Sequence, residues 1–196
     1  GYISPAVRFL PARPDGLEHA LWQLVTGGIT PGRRLQAFRQ YVSLAESEQA
    51  AAQLYQIWEK RELEGKPLSE RDEINLSYQL AIRLPEKADE IVNEQLKRIS
   101  NPDRQAEYRF ISPSVSPRKE VRDSVFEALL VADNRRIEPW ASTALSLLNH
   151  RLREAESVEY IRPALEILEE VQRTGDIFFP TAWLRALLGG HSSVQA

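Results

Sequence analysis

Ala51-Ala-Gln-Leu-Tyr-Gln-Ile-Trp58 is the stretch that decides the fold class. Ala51, Leu54, Tyr55 and Trp58 recur at steps of three and four, which puts them on one face of an amphipathic helix. The same period returns further along the chain. Ala88, Ile91, Val92, Leu96 and Ile99 form a second stripe, and Val121, Val125, Ala128, Leu129 and Ala132 a third. Ala141, Ala144, Leu145, Leu148 and Leu152 form a fourth. Strand-like alternation is nearly absent; its best candidate, Tyr2 to Leu10, is broken by Pro5. The pattern predicts an all-α chain of about nine or ten helices, each of about 9 to 18 residues.

The punctuation fits this reading. Thr30-Pro31, Asn101-Pro102 and Ser116-Pro117 each set a capping side chain before a proline suited to the first helical position. Ser69-Glu-Arg-Asp72 resembles a capping box with Asp in the place of Glu or Gln. Gly27-Gly28, Gly65, Gly175 and Gly189-Gly190 read as helix ends, where glycine takes the left-handed conformation. Pro163 interrupts the stretch Ser157 to Arg173, because proline removes a ladder bond and clashes with the preceding turn. The expected outcome is a helix beginning near Pro163, with Leu165, Leu168 and Val171 inward. Many short helices and short loops are the pattern of antiparallel helix pairs stacked side by side, as in an α-solenoid. An irregular all-α globule remains the plainer alternative.

Composition narrows the function. A chain of 196 residues makes one large domain or two small ones at about 150 residues per domain. About 70% of its surface is buried on folding, enough for a core without staples. No apolar run is long enough for a membrane span, and no basic-then-apolar leader opens the chain. Cysteine is absent, which excludes a thiolate zinc site and a cysteine nucleophile. The missing Met, at position 1 as elsewhere, is expected of a processed chain or one cut from something longer. The net charge of −3 is evenly spread, so the clustered basic footprint of a nucleic-acid binder is missing. Among basic side chains Arg outnumbers Lys 20 to 5, a bias that suits planar, ion-paired contacts.

The search for chemistry returns little. His19, His150 and His191 belong to no His-Glu-x-x-His run, and His150 with Glu154 reads as a surface ion pair. No nucleophile elbow, phosphate loop or dinucleotide fingerprint is present. Asp72-Glu73 and Glu169-Glu170 read as solvated neighbours, since adjacent helical residues point about 100° apart. Trp22, Trp58, Trp140, Trp183 and Phe178-Phe179 read as packing residues at helix ends. One segment is locally basic: Arg104 to Arg136 carries seven basic and five acidic residues. It is either a patch for a substrate carboxylate or an acidic partner surface, or else surface charge and loop anchoring, with Arg135-Arg136 closing a helix expected over 117–134.

The second half is more specific than its composition. Tyr108-Arg-Phe-Ile-Ser-Pro-Ser-Val-Ser-Pro117 leads into Val121-Arg-Asp-Ser-Val-Phe-Glu-Ala-Leu-Leu130. Asn134-Arg-Arg-Ile-Glu-Pro-Trp140, Leu148-Asn-His-Arg-Leu-Arg153 and Tyr160-Ile-Arg-Pro-Ala-Leu-Glu-Ile-Leu168 follow. Gln172-Arg-Thr-Gly-Asp-Ile-Phe-Phe-Pro180 comes next, with Trp183 and Gly190-His191-Ser192 after it. Together these resemble the extreme C-terminal region of bacterial zinc aminopeptidases of the M1 family, over roughly residues 100–196. Arg151 departs from the pattern, which has proline after Asn-His.

The resemblance implies an armadillo- or HEAT-like α-superhelical arch spanning residues 15–196, with residues 1–14 as a linker or an added start. It implies a non-catalytic domain that closes and shapes the substrate cavity of a parent enzyme hydrolysing N-terminal residues from peptides. Its partners are then the catalytic domain of the same parent chain and the peptide substrate. The family's zinc-binding and amine-binding motifs are not among these residues, so no catalytic or metal residue and no cofactor is assigned here; zinc belongs to the parent. Arg109, Arg118 and Arg122 are the candidate contacts for a substrate carboxylate. Arg118 and Arg122 are spaced i, i+4, as on one helix face. A free-standing helical-repeat interaction module is the alternative.

Overall fold

The computed structural model describes residues 16–27 and 30–192. The best strand candidate, Tyr2 to Leu10, and the linker 1–14 lie outside the described residues. The chain is all-α apart from one two-stranded hairpin among the described residues. It divides after Ile99 into two compact units.

The unit before that boundary is built from long helices: α1 (Leu17–Thr26), α2 (Pro31–Leu44), α3 (Glu48–Lys60), α4 (Glu70–Arg83) and α5 (Ala88–Arg98). α1 packs on α2, α3 on α4, and α4 on α5. The stripe that begins at Ala51 is the buried face of α3, with Leu54 fully inaccessible and Trp58 at 3% exposure. The stripe of α5 likewise faces inward through Ala88, Ile91 and the following Ile99. Ser69 caps α4, its Oγ accepting from the Asp72 amide at 3.2 Å. Gly65 does not end a helix. It sits at φ 72° beside Glu64 at φ 50°, in the turn joining β1 (Glu62–Leu63) to β2 (Lys66–Pro67). Two successive left-handed residues are what a tight hairpin turn requires.

The unit from Ser100 onward has shorter pieces. α6 (Pro102–Ile111) is capped by Asn101, whose Oδ1 accepts from the Arg104 amide at 3.1 Å. A 3-10 turn, Ser112–Val115, leads to α7 (Lys119–Leu129), and a second, Ala132–Arg135, leads to α8 (Glu138–Leu148). Arg151–Arg153, α9 (Glu154–Ser157) and Val158–Tyr160 form a stair of single turns. α10 (Ile161–Glu166), α11 (Leu168–Thr174) and α12 (Phe179–Leu188) complete the unit. α8 is its axis, packed against α6, α7 and α12. Phe126, Leu129, Leu145, Tyr160, Ala164 and Trp183 meet in one core. Trp183 is wholly buried and its indole N–H donates to the Ala164 carbonyl at 3.1 Å.

Several expectations are corrected here. The helix placed at 117–134 is only Lys119–Leu129, and Ser116 sits outside it, its Oγ accepting from the Arg118 amide. The inward face of α7 is Arg122, Phe126 and Leu129, while Ala128 is exposed. A stripe of apolar letters missed that face because one of its members is an arginine. Leu152 lies beyond the end of α8 and is 43% exposed. The helix does not begin at Pro163 but two residues before it, and it breaks again at Ile167. Leu165 therefore points outward, and Ile161 and Ala164 face the core. Gly27, Gly175 and Gly189 end helices without left-handed backbone. Gly175 is needed for closeness instead, since a Cβ there would lie 2.4 Å from Phe179.

The aromatic residues divide. Trp58, Trp183 and Phe179 are core residues, whereas Phe178 is 72% exposed. Trp140 is only half-buried, its ring 5.8 Å from that of Phe110. Asp72 and Glu73, read as solvated, are both buried. Arg39 reaches Asp72 at 2.7 Å and Arg61 reaches Glu73 at 3.0 Å, so each carboxylate is covered by its partner.

Candidate functional site

The basic segment Arg104 to Arg136 was the one region the sequence nominated. Its centre is the turn Ser112–Val115 and the three residues after it. A chain reversal of this kind leaves carbonyl groups without helical partners, and buried carbonyls need donors. Two buried arginines supply them. Arg122, at 3% exposure, donates from Nη1 to the Ser116 and Pro117 carbonyls at 2.8 and 2.9 Å. Its Nη2 binds Glu156. Arg153, at 9% exposure, donates to the Ser114 carbonyl at 3.1 Å and the Val115 carbonyl at 2.9 Å. Four consecutive carbonyls are thus held by two guanidinium groups whose positions in the chain lie 31 residues apart.

The electrostatics follow from this burial. Arg153 is pushed down to about 10, first by burial and then by the like charge of Arg122; Glu156 and Tyr160 oppose the shift. Beside the pair, Lys119 donates to both oxygens of Asp123 at 2.8 and 2.9 Å and reaches Glu159 at 2.5 Å. The Asp123 carboxyl is held below its ordinary range by Lys119 and by the Tyr160 hydroxyl, which donates to it at 2.5 Å. Burial, together with that carboxylate, pushes the Tyr160 phenol up. Tyr160 also stacks on Phe126 with ring centres 4.3 Å apart, so the charged cluster is anchored to the apolar core.

The three nominated arginines therefore part company. Arg109 is exposed on α6, and Arg118 is exposed at the start of α7. Arg122, on the inward face of α7, has its fork occupied by two carbonyls and Glu156. It is a positioning residue for the turn, not a surface contact. Arg135, expected to favour a helix end, does so by a buried hydrogen bond: Nη1 donates to the Leu129 carbonyl at 2.7 Å, and Nη2 to Glu170 at 2.8 Å. Arg136 stays at the surface with Asp133. Arg153 closes the sequence motif Leu148–Arg153, but nothing in that motif gives it a role. The available signal was the excess of Arg over Lys, which says that planar forks are wanted but not where.

The histidines do not converge on a reaction centre. His19 contacts Gln23 at 2.7 Å. His150 opens the turn Arg151–Arg153, its Nδ1 accepting from the Leu152 amide at 3.2 Å. Glu154 accepts from the Ser192 amide at 2.6 Å. His191 is buried, with Nε2 2.9 Å from Asn149 Oδ1. Asn149 donates its own amide to the Leu145 carbonyl, so its oxygen accepts and His191 Nε2 carries the proton. Gly190 lets this end of the chain approach, since a Cβ there would lie 1.7 Å from the Asn149 carbonyl oxygen. No group of three or more metal-ligating side chains occurs among the described residues. No helix of the described residues is long and apolar enough to cross a membrane. Comparison with protein-family models, with curated proteins and with solved structures returns no match.

Proposed function

We propose that this chain is the non-catalytic C-terminal domain of an M1-type zinc aminopeptidase, an arched wall of helices that closes and shapes the parent's peptide cavity. The observation that carries the reading is how the resemblance motifs meet. Arg122 and Arg153, from two separate motifs, clamp the Ile-Ser-Pro-Ser-Val-Ser-Pro turn of a third. Tyr160 of a fourth donates to Asp123, which lies in the same motif as Arg122. Glu138 accepts from the Asp176 amide at 2.9 Å, which joins the Glu-Pro-Trp motif to the Gly-Asp-Ile-Phe-Phe motif. Motifs scattered from Tyr108 to Pro180 thus serve one framework.

In this reading the partner is the catalytic domain of the same parent chain, and zinc and the general base belong to that domain. Arg109 and Arg118 are the contacts for the carboxylate of a bound peptide, and Arg122 holds the turn between them in place. Reading the coding frame upstream of Gly1 is the direct test. A His-Glu-x-x-His motif a few hundred residues upstream is expected. A stop codon immediately upstream would overturn the proposal and leave the free-standing interaction module. In the whole enzyme, replacing Arg109 and Arg118 with Ala is expected to raise KM for free-carboxylate peptides and to spare aminoacyl-anilides.

A further inference from the structure

The unit before Ile99 carries a cleft of about 410 Å³ walled by α1, α2 and α3. That volume lies within the range of small-ligand sites, roughly 300–1,000 Å³. One wall is aromatic: Trp22 and Tyr41 stand with ring centres 5.1 Å apart at 43°. α3 contributes two side-chain amides to the lining, Gln49 and Gln53. The Tyr41 hydroxyl donates to Gln53 Oε1 at 2.7 Å, which holds that side chain and leaves its NH₂ as a donor. Burial and the Glu18 carboxylate push the Tyr41 phenol up to about 12, so it remains a donor at neutral pH.

Charge narrows the occupant. Glu18 is the carboxylate that lines the cleft, and among the described residues no Lys or Arg lines it. Its oxygens already accept from the Glu46 amide at 2.5 Å, the Ser47 amide at 3.0 Å and the Ser47 hydroxyl at 2.5 Å. Burial alone would raise the Glu18 carboxyl, but these hydrogen bonds outweigh it and hold the group ionised and engaged. Among the described residues an anionic ligand finds no counter-charge, and a cationic one finds a carboxylate already bound. The remaining groups are neutral amides, an imidazole and two rings.

Spacing narrows it further. Gln49 and Gln53 are one turn apart, a rise of about 6 Å. Alternate residues of an extended chain repeat at about 6.8 Å. A primary amide offers a donor and an acceptor side by side, as a peptide group does. We propose that this cleft binds an uncharged, extended peptide segment through its backbone, with Gln49 and Gln53 on successive same-facing peptide groups and one apolar side chain against Trp22. The inference stands independently of the aminopeptidase reading, whose motifs all lie in the other unit.

The test is an NMR titration of the full 196-residue chain with the blocked peptide acetyl-Ser-Leu-Ser-Leu-Ser-amide. Saturable shifts of the Gln49 and Gln53 side-chain NH₂ signals and of the Trp22 indole are expected. A Gln49→Ala/Gln53→Glu variant, which keeps an acceptor for Tyr41, should bind about thirtyfold more weakly for the loss of two hydrogen bonds. The same peptide with methylated backbone nitrogens should fail to shift these signals on the unaltered chain, so the result stands even where the variant misfolds. Absence of shifts up to about 10 mM, beyond the range of a weak site, would overturn the proposal. So would equal binding of the methylated peptide, or selective binding of maltotriose.

Discussion

The two units solve the same problem differently. Before Ile99 the helices are long: α2, α3 and α4 have 14, 13 and 14 residues. After it, α9, α10 and α11 have only 4, 6 and 7. Every helix end leaves carbonyls without intrahelical partners, so short helices multiply the unsatisfied groups. The first unit meets this demand with Arg83, which donates to the Val42 and Ala45 carbonyls. Arg98 adds to this at the end of α3, donating to the Trp58 carbonyl at 2.9 Å. The second unit needs Arg122, Arg135 and Arg153 together. A buried arginine is the economical answer, because one planar fork offers five donors and keeps its charge. Broken helices and the Arg-rich composition are two sides of one fact.

The most severe way to break this comparison is Arg153→Ala. It leaves the Ser114 and Val115 carbonyls buried without donors, at about 1–3 kcal/mol each. A loss of about 4 kcal/mol is therefore expected in urea unfolding. Fluorine NMR of 5-fluorotryptophan-labelled chain follows Trp58 and Trp183 separately, one in each unit. The Trp183 signal should collapse at lower urea, and a loss under 1 kcal/mol would mean that the turn does not depend on its arginine. Trp140→Ala comes next. A fully buried tryptophan costs about 3–5 kcal/mol on truncation, and half-burial reduces this to about 2 kcal/mol. A shift as large as that of Trp183→Ala would place Trp140 in the core after all.

Arg39→Ala probes the first unit and should cost only about 1 kcal/mol, since the guanidinium is largely solvated. Asp72 keeps the Ser69 hydroxyl as a donor at 2.6 Å. A cost equal to that of Arg153→Ala would erase the distinction between the units. The smallest effect concerns pH. Burial holds the His191 imidazole below its ordinary range, against the opposing pull of Glu154. A lowered folded value means that its contribution is complete above the unfolded value of about 6.5 and is lost as pH falls through the folded one. The unfolding midpoint of the second unit should thus decline below about pH 6.5, and His191→Gln should flatten that slope. An unchanged slope would assign the decline to the carboxylates.

Legibility followed the same division. In the first unit the apolar period of α3 and α5 was enough, because long helices repeat a pattern often enough to be read. In the second, the inward face of α7 is read one residue early at Val121 and Val125, since Arg122 occupies a core position that a hydrophobicity rule discards. Leu165 was turned the wrong way because the break at Ile167 resets the helical phase, and one proline letter does not announce a second break four residues later. The buried pair Asp72-Glu73 was hidden by its own chemistry. What removes those carboxylates from water is Arg39 and Arg61, which are distant in sequence. The three nominated arginines shared a charge and a segment, but burial separates them, and burial is a property of neighbours.

The turn at Asp176 has a consequence for handling the protein. Its Oδ1 accepts from the Phe178 and Phe179 amides at 2.7 and 3.0 Å, and its own amide is held by Glu138. Between these anchors Ile177 and Phe178 stand 85% and 72% exposed. The turn cannot fold them away without giving up its hydrogen bonds. The chain therefore carries a fixed greasy corner, with its two most exposed large apolar side chains among the described residues side by side. Its colloidal behaviour should be set by that corner: retention on phenyl resin, and light scattering that climbs with concentration and salt, both relieved by Ile177→Ser/Phe178→Ser.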